Sequence, residues 1–141
     1  MIVFLDTSAL VKLYSPETGT AEMDLLFSKN ITRIYLSKIS LLEFESAIRK
    51  KVRTGHLTQP EAEALSASFM FDLRHYQIVD IGNSIIENAW ALLKKYGHQG
   101  LRTLDSIQLA TAISLRQEVT VNKTFDTLLE QLFVSENLPI R

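Results

Sequence analysis

The sequence predicts an α/β fold, with a mostly parallel sheet covered by helices on both faces. Three observations lead there. Short apolar runs rich in Ile, Val, Leu and Phe recur along the chain, longer segments of helical periodicity separate them, and Pro, Gly and Ser mark the joints. A length of 141 residues suits one domain spanning residues 1–141, and a 46% hydrophobic content is enough to fill its core.

Residues 1–5 form the first strand, a run of five apolar residues that stops at Asp6. A short helix begins at Thr7, Ser15-Pro16-Glu17 breaks it, and residues 18–28 read as a second helix. The second strand covers residues 32–37, and the third helix residues 38–54, with Gly55 as its stop. Thr58 with Glu61 makes a capping box and Pro60 suits a first turn, so the fourth helix spans 58–76. A strand at 77–81, a helix at 83–96, a loop at 97–100 and a strong helix at 103–117 follow. The pattern closes with a strand at 119–121, a helix at 125–132 and an edge strand within 133–140.

Composition removes several chemistries. Cysteine is absent, which excludes disulfides, Cys-ligated zinc, iron–sulfur clusters and thiol catalysis. The N-terminal apolar run is too short for a signal peptide and no segment approaches membrane-spanning length, so a cytoplasmic protein is expected. The net charge of −1 provides no global field for nucleic acid. Arg49, Lys50, Lys51 and Arg53 make one local basic patch, either a solvated helix end or a contact for nucleic acid. The glycines form neither a phosphate loop nor a dinucleotide fingerprint, and no Gly-x-Ser-x-Gly elbow is present. His56, His75 and His98 lack metal-like spacing.

The carboxylates are more informative. Asp6 stands at the carboxyl end of the first strand, the edge where open α/β sheets bind ligands, although it also suits the cap of the next helix. Glu45 has Arg49 four residues on and reads as a surface ion pair. Glu43 has Ile39 and Ala47 on its ridge instead, so it needs another partner, either a hydrogen-bond donor or a metal ion. Asp105 opens its helix between Leu101 and Leu109, where the macrodipole alone would favour it. Convergence of Asp6, Glu43 and Asp105 would create an oxygen-rich site suited to Mg²⁺ or Mn²⁺ and to hydrolysis of a phosphodiester. A phosphotransferase of the haloacid-dehalogenase type needs Asp-x-Asp after the first strand, and Ser8 takes the second position here.

Three segments together resemble the PIN-domain nucleases, and among them the VapC-type toxins of toxin–antitoxin pairs. They are Leu5-Asp6-Thr7-Ser8-Ala9-Leu10, Ser37 to Glu43, and Leu101-Arg102-Thr103-Leu104-Asp105-Ser106-Ile107-Gln108-Leu109-Ala110-Thr111-Ala112. The resemblance implies a three-layer α/β/α sandwich and a Mg²⁺- or Mn²⁺-dependent ribonuclease that leaves a 5′-phosphate. It carries the principal acidic positions to Asp6, Glu43 and Asp105, and pocket-lining positions to Ser8 and Thr120. At the family's Thr-x-Asp the chain is read as Thr120-Val121-Asn122, with Asp126 the possible fourth acid. The implied partners are RNA, a cognate antitoxin docking near the third and fourth helices, and a second copy in a homodimer. A PIN-like module that binds RNA or protein without cutting is the alternative. Leu65, Phe69, Met70, Phe71 and Leu73 make a wide apolar stripe on the fourth helix, which fits either an interface or burial on two sides.

Overall fold

In the computed structural model, which describes residues Met1–Arg141, four short strands form one sheet. They are β1 (Ile2–Leu5), β2 (Arg33–Ser37), β3 (Gln77–Val79) and β4 (Val121–Lys123), arranged β3-β2-β1-β4. All neighbouring pairs are parallel. Each parallel connection therefore crosses over, here through helices that divide between the two faces. The helices are α1 (Thr7–Tyr14), α2 (Thr20–Phe27), α3 (Ile39–Arg53), α4 (Gln59–Asp72), α5 (Asn83–Tyr96), α6 (Thr103–Ser114) and α7 (Thr127–Ser135).

Alternation along β1 creates two cores. Val3 and Leu5 join Leu10, Met23, Phe44 and Ile48 beneath α1–α4, while Phe4 joins Leu92, Leu109, Leu132 and Phe133 beneath α5–α7. Burial of each large side chain stabilises the fold by roughly 1.5–3 kcal/mol. The expected three-layer α/β/α sandwich is thus built around β1, which has hydrogen-bonded neighbours on both sides.

Local signals act as their chemistry dictates. Gly55 adopts φ +79° after α3, and both bonds of the Thr58–Glu61 capping box form. Arg49 pairs with Glu45 and also with Glu63, each at 2.9 Å. The stripe on α4 splits: Phe69 is buried between Tyr14 and Phe44, whereas Met70 and Phe71 are 67% and 63% exposed. The helix itself ends at Asp72 and gives way to one 3₁₀ turn, Leu73–His75. No helix is long and apolar enough to cross a membrane.

Two expected elements are displaced near the C-terminus. β4 begins at Val121, two residues later than expected, because the Thr120 hydroxyl engages the main chain of Ile2 just before the strand. The expected edge strand within 133–140 does not form. α7 continues to Ser135, Asn137 turns the chain with φ +57°, and Pro139 lies beside β4. Pro139 has no N–H to donate to a ladder. Its carbonyl accepts from both the backbone N–H and the side-chain amide of Asn122.

Candidate active site

β1 delivers Asp6 to the carboxyl edge of the sheet, where its N–H donates to the Lys123 carbonyl at 3.1 Å. Oδ1 accepts from the Ala9 N–H at 3.0 Å, capping α1, and from the Ser8 hydroxyl at 2.7 Å. Oδ2 accepts from the Thr124 hydroxyl at 2.6 Å. Asp6 therefore caps α1 while standing at the carboxyl edge of the sheet. It is 4% exposed. Burial pushes its carboxyl up to about 6, the Thr124, Ala9 and Ser8 bonds pull it down, and the charge of Asp126 adds to the rise.

Glu43 projects from α3 without a cation beside it. Its Oε1 accepts from the Thr7 hydroxyl and from the Gln108 side-chain amide, both at 2.9 Å. The same Gln108 nitrogen lies 3.0 Å from the Ser40 hydroxyl, while its Oε1 is buried without a partner. Gln108 stands one turn after Asp105 on α6, so that helix supplies both an acid and the donor that fixes another acid.

Asp105 is half-buried and forms no ion pair. Desolvation raises its pKa, the charges of Asp126 and Glu43 raise it further, and Arg102 partly offsets them. Asp126 caps α7 by accepting from the Leu129 N–H at 2.7 Å. Asp126 thus acts electrostatically on both Asp6 and Asp105, which brings it into the acidic group.

The structure corrects two pocket-lining positions. Thr120 lies at the opposite end of β1, where its hydroxyl donates to the Ile2 carbonyl at 2.9 Å and accepts from the Ile2 N–H at 3.0 Å. Asn122 is buried in β4 as the register partner of Phe4, with its amide on Pro139. The cause is the strand register. Lys123 pairs with Leu5, so the residue that flanks Asp6 is Thr124, and the Thr-x-Asp pattern is Thr124-Phe125-Asp126. Ser8 does reach the cleft, and its oxygen accepts from the Phe125 N–H at 2.8 Å, tying that turn to α1. Thr7, Ser40, Gln108 and Thr124 were not singled out by the sequence. Ser40 and Gln108 do lie one helical turn from Glu43 and Asp105, a spacing that could have marked them.

Asp6, Glu43, Asp105 and Asp126 offer only hard oxygen donors, and none is ion-paired. No three acidic or histidine side chains close around a single point, and the acids instead form a row of neighbours linked by charge, Glu43 to Asp105, Asp105 to Asp126 and Asp126 to Asp6. That arrangement still fits Mg²⁺, which keeps several waters and takes one or two carboxylates plus substrate phosphates. Burial chiefly, and neighbouring acids second, raise the pKa values of Asp6 and Asp105, and a bound cation would favour the ionised form of both.

The family model described as "PIN domain" matches residues 3–131. The chain belongs to the PIN domain family. A comparison with curated protein sequences finds no match. Among solved structures, VapC20 of Mycobacterium tuberculosis, a Sarcin-Ricin loop cleaving toxin, is similar with a TM-score of 0.71 at 16% identity, covering 92% of this chain and 94% of that one. FitAcB of Neisseria gonorrhoeae has a TM-score of 0.71 at 17% identity over 98% of this chain and 95% of its own. VapBC2 of Rickettsia felis, bound to a DNA fragment from its promoter, has 0.66 at 19% identity over 100% and 98%. These likenesses establish a shared PIN fold.

Proposed function

We propose that this PIN-domain protein is a divalent-metal-dependent endoribonuclease and the toxin of a toxin–antitoxin pair. The carrying observation is the row of unpaired acids Asp6, Glu43, Asp105 and Asp126 at the carboxyl edge of its parallel sheet. Asp6 is buried and Glu43 and Asp105 are half-buried, each without a cation, which costs stability, so their retention argues for a ligand over a module that only binds. The likeness to toxin–antitoxin structures supports a cognate antitoxin as partner.

Asp6, Asp105 and Asp126, with Glu43, would hold Mg²⁺ or Mn²⁺. When bound, the ion neutralises charge on the scissile phosphate and lowers the pKa of a water. The chain's own groups set the geometry. Ser8 and Thr124 fix both oxygens of Asp6. Thr7 and Gln108 hold Oε1 of Glu43 and leave Oε2 to orient a water and accept its proton. The water oxygen bonds to phosphorus, the bond to the 3′-oxygen breaks with its electron pair, that oxygen takes a proton from solvent, and the products carry a 5′-phosphate and a 3′-hydroxyl. Arg102, whose charge partly offsets the rise at Asp105, would add a cation for a phosphate bound there.

Met70 and Phe71 extend an apolar surface on α4 that supports docking of a protein, whether a second copy or the antitoxin. A mass measurement at micromolar concentration giving monomer alone would remove the homodimer. For the reaction, Asp6→Asn, Glu43→Gln and Asp105→Asn should each abolish RNA cleavage while the protein stays folded. Equal cleavage by wild type in excess EDTA would refute the mechanism.

A further inference from the structure

A groove of about 820 Å³ opens between α1 and α3, bounded by the α1–α2 loop and the turn after α3. Its lining includes Thr7 and Ser8, the residues that hold Glu43 and Asp6, so groove and acidic row are continuous. Away from the acids the lining turns cationic, with Lys12, Lys50 and Lys51. Lys50 also lines a depression on the other flank of α3 with Glu43 and Arg53. Neither Lys50 nor Arg53 takes part in any ion pair.

Lys12 and Lys51 converge on one anion. The Glu17 carboxylate lies with Oε1 2.7 Å from the Lys12 ammonium and Oε2 2.5 Å from that of Lys51. The two ammoniums come from different helices, and their side chains are only 11% and 21% exposed. Lys12 is further held 4.6 Å over the Phe125 ring, against which Gly19 of the α1–α2 loop also packs. The pair is thus fixed in place before any ligand arrives, and what it holds is a two-oxygen anion with the form of a phosphodiester edge.

We propose that this groove carries the RNA backbone away from the acidic row, with Lys12 and Lys51 binding a flanking phosphate at the place Glu17 fills in the RNA-free protein, and Lys50 binding beside it. The inference rests on the ribonuclease reading and adds the path of the substrate. A net charge of −1 attracts no polyanion globally, so such local cations must provide the contact. RNA is favoured over an acidic protein segment because the groove runs into the cleft where the scissile phosphate must lie.

The test uses fluorescein-labelled single-stranded RNA of about 12 nucleotides, read by anisotropy in EDTA across a series of salt concentrations. Each lost phosphate contact should reduce the slope of log K against log salt by about 0.7. Lys50→Ala should weaken binding severalfold with that loss of slope. Glu17→Gln, which frees two ammoniums, should tighten binding severalfold and steepen the slope. In cleavage assays with Mg²⁺ both effects should fall on KM more than on kcat. Melting curves confirm that each variant is folded. Unchanged affinity and slope in both variants would overturn the groove, even if wild type cuts RNA normally. Binding with the expected slopes but no cutting in Mg²⁺ would sustain the groove and sink the nuclease reading instead. Preference for labelled oligoglutamate over RNA of equal charge would assign the groove to an acidic protein segment and overturn the proposal.

Discussion

Removing the charge of Asp6 should stabilise the metal-free protein. Its carboxyl rises from 3.8 to about 6 on folding, chiefly through burial. At about 1.4 kcal/mol per unit, keeping it ionised in the folded state costs about 3 kcal/mol above the folded pKa. The folded protein binds more protons than the unfolded chain between the two values, so wild-type stability should fall as pH rises from 3.8 to about 6. In Asp6→Asn the amide oxygen still accepts from Ser8 and the Ala9 N–H, while the amide nitrogen faces Thr124 and displaces one hydrogen bond. Losing that bond costs about 1 kcal/mol, leaving a net gain of about 2 kcal/mol. For a domain of this size the gain corresponds to a Tm increase of about 6 °C.

Thermal melts in EDTA at several pH values test this. The variant should melt above wild type at neutral pH, with the order reversing at or below the unfolded value of 3.8, where only the lost hydrogen bond remains. Added Mg²⁺ should raise the wild-type Tm, by about 2.7 kcal/mol of stabilisation at a hundredfold excess over Kd, and the variant's much less. A variant that melts below wild type at every pH would refute the argument. The bonds to Asp6 would then outweigh the cost of burying its charge.

Four further outcomes follow from the geometry. Asp126→Asn should lose activity as fully as Asp105→Asn with little change in Tm, since Asn caps helices about as well as Asp; nuclease assays beside melting curves decide it. Asn122→Asp should cost about 3 kcal/mol or more without raising activity, because it sets a buried carboxylate against the Pro139 carbonyl; chemical denaturation measures the loss. Gln108→Met, which removes the donor fixing Glu43, should reduce kcat roughly 10–100-fold, corresponding to about 1–3 kcal/mol. Gly19→Ala should lower stability by about 1–2 kcal/mol from backbone strain alone, and its Cβ would also stand 2.7 Å from the Phe125 ring; a fall in Tm is the readout.

The elements set by hydrophobic period and capping chemistry were legible in the sequence. The run before Asp6, the Thr58 capping box and the Gly55 stop all formed where their residue types require. β4 was not legible to within two residues. It is three residues long, and its limits are set by partners remote in sequence: Thr120 bonding Ile2, and Lys123 pairing with Leu5. The motif itself moves by four residues, its hydroxyl position from Thr120 to Thr124 and its acid from Asn122 to Asp126. Local periodicity cannot supply that information, because register belongs to the pair of strands. The missing final strand has a local cause instead, since the Pro139 carbonyl can accept from a neighbour but its nitrogen cannot extend the ladder.

The acids themselves show why a plain structural account of a residue need not compete with a chemical one. Asp6 gives one oxygen to the first turn of α1 and the other to Thr124, and Asp126 gives one oxygen to the first turn of α7. A carboxylate at a helix N-terminus is stabilised by the same exposed N–H groups and dipole that hold it still. Capping thus offsets part of the cost of placing charge at the sheet edge and fixes the direction in which the remaining lone pairs point. Asp105 lacks such a hydrogen bond; its position in the first turn of α6 brings only the dipole, and its pKa is raised. By this logic, bound metal should lower the pKa of Asp105 strongly, because that carboxylate has no side-chain or backbone donor to give up. Carboxylate chemical shifts followed through a pH titration with and without Mg²⁺ would measure it. An unchanged Asp105 titration in saturating metal would place the ion away from α6 and leave that carboxylate a purely electrostatic neighbour.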